Sequence, residues 1–340
     1  MMSNDLSMKF RRFAIHECRE SSPLYEFLSL KIAEDAEMIE LISSAKKGQP
    51  VPNLFFGAVH YLLLKGKKHT LRKFYPNITN NPEKAASAYP AFVDFCQKYS
   101  GEIIDLLTSK IVQTNEVRRC SYLYPVFSHI FQMTKKPLAL IEIGTSAGLQ
   151  LFVEKYSYFY GTGEVYGNPN SEVHLTSVIK GGKMPLRQMK QPEVATRFGI
   201  DLHINDVRNT EDYTWLKALI WPEHHERREL FEKAASYVSN QTLSLIEGDG
   251  VEMLHSLASE IPEEQVICVF HTHVANQMSV ETKEKLLEQI KEIGEQRPIF
   301  HIYNNIFDAR LHLDYYLEGK ESLNTIGDTE GHGRWFRLDL

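Results

Sequence analysis

The run Leu138–Phe152, LALIEIGTSAGLQLF, carries two chemistries in one spelling. Gly144, Ser146 and Gly148 stand at the GxSxG spacing of a nucleophile elbow, where a serine on a sharp strand-to-helix turn attacks a carbonyl. The same residues, preceded by Glu142, spell an acid followed by a small-residue loop. That is how a Rossmann-like methyltransferase opens its site for S-adenosylmethionine. In this second reading Ser146 is a small residue beside the cofactor, and the amides at the start of the following helix receive a carboxylate.

Two further acids favour the cofactor chemistry. Asp201 ends the segment RFGID and is placed to accept hydrogen bonds from two ribose hydroxyls. Asp249, in IEGDG, is placed to bond the exocyclic amine of adenine, and Glu142 to meet the ligand's ammonium through water. All three acids fall at the carboxyl ends of expected strands, where open α/β sheets bind ligands. Each of Asp201 and Asp249 taken alone also reads as a cap of the next helix. The hydrolase reading has less support. A triad can be filled on paper by Asp249 or Asp308 with His332, but 14 histidines and 44 acids make such a match nearly free. No strand is expected before Leu138, and no HGGG-type oxyanion loop lies upstream.

His271 and His273 follow the fourth expected strand, where an acceptor would lie. Extended backbone would turn both to one side. They then orient or deprotonate an acceptor, hold a metal with a third ligand, or act only as core or rim histidines. Gln113, Asn115 and Arg118 form a polar cluster ahead of an apolar helix and are candidates for substrate contacts. Thr114 is expected to cap that helix, with Glu116 favourable in its first turn. This cluster is expected to close over the site as part of a helical domain. Tyr156, Tyr158, Phe159, Tyr160 and Tyr166 either pack under an insertion or stack on a substrate ring. His224 and His225 are expected to face solvent.

The elements that must position these residues follow from periodicity. Residues 1–136 read as a helical domain. A helix begins at Ser22-Pro23, Asn53 is placed to cap the nearly all-apolar LFFGAVHYLLLKG, and a helical stretch over residues 117–135 is expected to kink or break before Pro125. Residues 137–340 alternate. LALIEIG, RFGIDLHIND, TLSLIEGDG, EQVICVFHTHV and RPIFHIYNNI read as strands. SAGLQLFVEKYSYFYG, residues 213–240 (broken at Pro222), GVEMLHSLASEI and SVETKEKLLEQIKEIGEQ read as helices. The predicted architecture is therefore an α/β Rossmann-like sheet, mostly parallel with right-handed crossovers. An antiparallel edge comes from the C-terminal tail. Residues 160–190, rich in Gly, Asn and Pro, read as a loop insertion with one strand, EVHLTSVI.

The bulk properties exclude several classes. The 340 residues are 43% hydrophobic and 24% charged, which is a globular composition rather than a disordered one. The net charge of −6 and the absence of a basic run argue against nucleic acid and for a small-molecule substrate. Cys18, Cys96, Cys120 and Cys268 lie in no CxxC pair, so buried or free thiols are expected and a metal cluster is not. The N-terminus has no signal-peptide pattern, and no apolar run reaches the ~18–20 residues of a membrane span. The expected location is cytoplasmic.

Several segments together resemble the bacterial DUF2332 family. They are FRRFAIHECRESSPLYEFLSLKIAED, PNLFFGAVHYLLL, QTNEVRRC, LALIEIGTSAGLQL, RFGIDLHINDV, WLKALIWPEHHERRELFEKA, IEGDGVEML and VICVFHTHV. Gly144, Gly148, Asp201 and Asp206 match the family pattern. The chain departs from the family pattern at Gln150, where the family reads SAGLN, and within Asp201-Leu-His203-Ile-Asn-Asp206, where the family reads DLxPxD. The resemblance implies a methyltransferase-like layout with S-adenosylmethionine as the candidate ligand. Three functions are carried forward: a methyltransferase-like enzyme acting on a small molecule, a non-catalytic ligand-binding protein on the same frame, and a serine hydrolase using Ser146.

Overall fold

A computed structural model of the chain describes residues 2–184 and 186–340. It divides into two units, residues 1–114 with 208–229 and residues 115–207 with 230–340.

The first unit is helical: α1 (Met2–Phe13), α2 (Pro23–Ile32), α3 (Ala36–Ile42), α4 (Val51–Leu64), α5 (Tyr89–Lys98) and α6 (Ser100–Ser109). Ser22 caps α2 by accepting from the Tyr25 amide, and Asp35 starts α3 by accepting from Glu37 and Met38. The expected cap at Asn53 is not one. Pro52 suits the first turn of a helix, so α4 already begins at Val51, and the Asn53 side chain accepts from Trp221 Nε1 at 3.2 Å. Helix α4 is apolar on nearly every side and is the centre of the unit's core, among Phe10, Tyr25, Phe92 and Phe95.

Residues 208–229, expected in the sheet domain, belong to this helical unit. Physical ties explain why. His60 Nδ1 meets the Ala218 carbonyl at 2.9 Å, and Trp215 Nε1 donates to Ile111 at 2.9 Å. Gly57 admits Leu219, whose Cδ2 lies 2.9 Å from where a β-carbon would stand. His224 bonds Ser21 Oγ at 2.9 Å and is half-buried, whereas His225 is exposed as expected. The unit also stops at residue 114 rather than 136, so the last helix before the first strand lies with the sheet.

The second unit opens with that helix, α7 (Cys120–Thr134). Pro125 sits inside α7 without ending it; the Ser121 carbonyl that its missing amide leaves without a helical partner accepts from the Tyr160 hydroxyl at 2.8 Å. In chain order there follow β1 (Leu138–Ile143), β2 (Ser157–Phe159), β3 (Val165–Gly167), β4 (His174–Thr176), β5 (Val178–Lys183) and β6 (Val194–Asp201). Helices α8 (Thr210–Ala218, in the first unit) and α9 (His225–Ser239) come next, then β7 (Ser244–Glu247), α10 (Gly250–Glu260), β8 (Val266–His271), α11 (Val280–Gly294) and β9 (Ile299–Tyr303). The chain closes with β10 (Leu311–Leu317), β11 (Lys320–Ser322), β12 (Thr325–Thr329) and β13 (Trp335–Asp339).

Strands β7, β6, β1, β8 and β9 lie side by side in that order, all parallel. The chain starts in the middle, runs out to one edge, and returns to the other side of β1, so the strand order reverses between β1 and β8. Beyond β9 the strands β10, β12 and β13 are antiparallel, as expected of the tail, and β5 joins β13 in parallel. One face of the sheet packs Ile141, Val269 and Ile299 on Leu254 of α10 and Leu286 and Ile290 of α11. On the other, Phe127 of α7 meets Phe270 edge-on at 5.3 Å.

Two local expectations fail after β1. No α-helix follows Gly148. Leu149–Lys155 is a 3-10 segment broken at Phe152, and the aromatic run then pairs as β2. The left-handed Gly148 (φ 72°) and the Tyr156 and Tyr158 hydroxyls, which bond Leu149 and Val153 carbonyls, hold this shape. Residues 160–190 are also more ordered than a loop: β3 and β4 flank β2 in a small sheet, and β5 joins the main one. Tyr156, Tyr158 and Tyr160 are buried beneath this insertion, while Phe159 is exposed.

Candidate functional site

The loop after β1 is held by side chains from three neighbouring segments. Gly144 (φ 77°), Ser146 (φ 52°) and Gly148 (φ 72°) all take left-handed backbone, which costs a residue bearing Cβ about 1–2 kcal/mol. The strain at Ser146 is offset by a dense set of bonds. Its amide donates to Asp201 Oδ2 at 2.8 Å, and its carbonyl accepts from the Asn205 amide at 3.1 Å. Its hydroxyl oxygen accepts from the side-chain amides of Asn115 (2.8 Å) and Asn205 (3.0 Å). The next amide, Ala147, donates to Asn115 Oδ1 at 3.3 Å. Ser146 is 4% exposed and meets two amides, not an imidazole. Of the residues proposed for a triad, His332 bonds Glu116 Oε2 (3.0 Å), Asp249 caps α10, and Asp308 bonds His312 (3.0 Å).

The glycines serve close packing. A β-carbon on Gly144 would stand 2.2 Å from Val274 Cγ2, and one on Gly148 would stand 2.5 Å from Leu243 Cδ2. Val274 follows β8, so Gly144 is what lets the β8 loop close onto the β1 loop.

The three acids have separate fates. Glu142, at the end of β1, is 3% exposed and accepts from Thr145 Oγ1 at 2.6 Å. Burial pushes its carboxyl up to about 8; Asp201 adds to this, while the Thr145 hydroxyl and Arg119 oppose it. Asp201 ends β6 and holds the Ser146 and His203 amides. Asp249 caps α10, but through Oδ1 alone, taking the Val251 and Glu252 amides at 2.8 and 3.3 Å. Its side chain is exposed, so Oδ2 is open to a donor from outside.

The segment Asn115–Arg119 lies in the sheet unit, not in the helical one as expected; Gln113 belongs to the helical unit. Glu116, rather than Thr114, caps the 3-10 turn Val117–Arg119 through the Arg118 amide (3.3 Å). From this turn Asn115 reaches the β1 loop, as described. Arg119 reaches the other side of the strand reversal: Nη1 donates to Thr272 O (3.3 Å) and Oγ1 (3.2 Å), and Nε to Gly331 O (2.9 Å). One short segment thus spans the loops after β1 and β8, with Glu116, Arg118 and Arg119 all buried. Thr272 also meets Gln150 Oε1 at 3.5 Å.

The two candidate catalytic histidines do not share a face. His271 ends β8 and is fully buried, its Nε2 3.2 Å from His301 Nε2. His273 lies past the strand in left-handed backbone (φ 63°), so the alternation of extended chain does not reach it. Its amide donates to Asn304 Oδ1 at 2.7 Å. Burial lowers both imidazoles, His271 to about 3 and His273 to about 4, the latter helped by Arg119. Both are neutral at pH 7; His273 is half-buried and His271 fully enclosed.

The sequence reading missed Asn205, Thr145 and Thr272, which bond Ser146, Glu142 and Arg119. Each is a polar residue within four positions of a strand's carboxyl end, and that position was the available signal.

A model of the DUF2332 family, described as "Uncharacterized protein conserved in bacteria", matches residues 7–337, and the chain belongs to that family. No curated protein and no solved structure matches it.

Proposed function

We propose that the chain is a methyltransferase-like protein that takes a nucleoside-type ligand, S-adenosylmethionine first among them, at the carboxyl ends of β1, β6 and β7, and acts on a small molecule. One observation carries this reading. Five parallel strands reverse their order beside β1, and acids stand at or just after the ends of the three strands on one side of the reversal. Ligands of open α/β sheets bind at such a reversal. Asp249 Oδ2 suits the adenine amine, and Asp201 suits the ribose. The cofactor supplies an activated methyl when bound. The chain's part is to hold and align, with neutral His273 orienting the acceptor by a hydrogen bond.

A second reading, binding without turnover, is favoured by the β1 loop. The Ser146 and Ala147 amides, which would hold the ligand's carboxylate, are paired with Asp201 and Asn115. No α-helix N-terminus stands behind them. The adenosine half fits the residues present better than the amino-acid half does. Calorimetry with S-adenosylmethionine, its demethylated product and adenosine tests this. Heat is expected with all three, with adenosine retaining most of the affinity. Asp201→Ala is expected to weaken binding about tenfold or more, and Ser146→Ala less. No heat from folded protein at high micromolar ligand would remove the nucleoside reading.

A further inference from the structure

A separate cavity of about 840 Å³ lies between α11 and strands β9 and β10, wholly within the second unit. Its size falls in the ~300–1,000 Å³ range of small-molecule sites. We propose that it binds an organic cation, a protonated amine with an apolar body. The inference does not rest on the nucleoside reading.

Three observations converge. The first is charge. Helix α11 presents Glu284, Glu288, Glu292 and Glu295 to the cavity at helical spacing, β10 adds Asp314 and β11 adds Glu321, against one lysine, Lys291. Asp314 is the deepest of these carboxylates, 5% exposed, and accepts from Tyr303 Oη at 2.6 Å and the Asn324 amide at 2.9 Å.

The second is the wall. Tyr303 and His312 stack nearly parallel (6°) at 4.9 Å, and Phe307, 70% exposed, stands edge-on to both. Aromatic faces beside carboxylates attract a cation and exclude an anion.

The third is an orphaned nitrogen. His301 lines the cavity and is fully buried, and its Nδ1 has no hydrogen-bond partner. The same is true of Nδ1 in His271, the ring it meets through Nε2. Both rings are neutral, because burial holds them well below the usual imidazole range. A neutral pair joined by Nε2 needs the proton on one Nε2 only. The other ring then carries its proton on Nδ1. When His301 is the ring protonated at Nε2, its Nδ1 is a bare acceptor, the complement of an ammonium N–H. A buried acceptor left unpaired is costly, and a donor from a ligand would recover that cost.

The test uses the full chain, with 4-phenylbutylamine as the probe and 4-phenylbutanoate as its matched anion, followed by the ring resonances of the histidines and tyrosines. The amine is expected to bind and move the His301 and Tyr303 signals, and the carboxylate to leave them in place. Asp314→Asn is expected to weaken the amine about tenfold or more. Asp314 also holds Tyr303, so the exposed rim supplies a second variant. The double substitution Glu288→Gln and Glu295→Gln is expected to leave folding intact and weaken the amine a few-fold. Equal binding of amine and carboxylate, no amine binding at millimolar concentration, or amine affinity unchanged in the rim variant would each overturn the proposal.

Discussion

The Glu142→Gln variant is expected to gain stability relative to the native chain as the pH rises from 6.5 to 8. The Glu142 carboxyl sits near 8 in the fold against 4.5 in an ordinary environment, because burial penalises its charge. A raised carboxyl binds its proton more tightly folded than unfolded. Its contribution to stability is therefore whole below about 4.5 and is lost as the pH rises through 8. The buried imidazoles work in the other direction. His60, His271 and His273 are lowered to about 4, 3 and 4 from 6.5, so they stabilise above 6.5 and oppose folding as the pH falls. At pH 6.5 the unfolded histidines are half titrated, so their gain still runs against the Glu142 loss, and the difference between the native chain and the glutamine variant, in which the histidines cancel, isolates Glu142. That difference is expected to shift by about 1–2 kcal/mol against the native chain between pH 6.5 and 8, at roughly 1.4 kcal/mol per pH unit with ionisation complete only above 8. Glutamine keeps the shape and the Thr145 bond without the titration. Urea unfolding across this range checks it. A difference between the two chains that does not change from pH 6.5 to 8 would mean that Glu142 is already charged at pH 6.5, with Arg119 prevailing over burial.

Arg119→Met is expected to cost about 3 kcal/mol of stability by urea unfolding, among the largest effects of a single polar residue outside the core. The guanidinium is 7% exposed and serves three oxygens on two loops, Thr272 O, Thr272 Oγ1 and Gly331 O. Methionine fills the volume and supplies no donor, so the buried Thr272 and half-buried Gly331 carbonyls lose this donor. The variant should also move the Glu142 transition further up, since Arg119 is a cation that favours the ionised carboxyl. Arg119→Lys separates the two effects. It keeps the charge and loses the fork, so stability should fall part of the way while the Glu142 transition stays near its native position. If Arg119→Met unfolds no more easily than the native chain, the segment Asn115–Arg119 is not what joins the β1 and β8 loops.

The parallel strands were legible because each is a short apolar run, three of them (β1, β6 and β7) ending at a glycine or an acid, and all five occur where the pattern put them. The antiparallel tail was legible by its alternation. Three features were not. The stretch after Gly148 has helical apolar spacing, but two tyrosine hydroxyls bond carbonyls five and seven residues back, and no periodicity reveals that. Residues 208–229 look like a crossover helix of the sheet, yet Trp215 and Trp221 bury their rings in the helical core. Asn53 looks like a cap, but a proline one residue earlier starts the helix first. At the candidate site, the residue types and the acids were visible in the sequence. That Asp201 and Asn115 hold the β1 loop amides was not, because partners 55 and 32 residues away in sequence are set by the sheet.

The central claim, a nucleoside-type ligand at the carboxyl ends of β6 and β7, is tested most directly by a crystal structure of the chain soaked with S-adenosylmethionine. Adenosine density is expected between Asp201 and Asp249, with the adenine amine within hydrogen-bond distance of Asp249 Oδ2. Well-ordered protein with no density there, or density only in the cavity beneath α11, would contradict it.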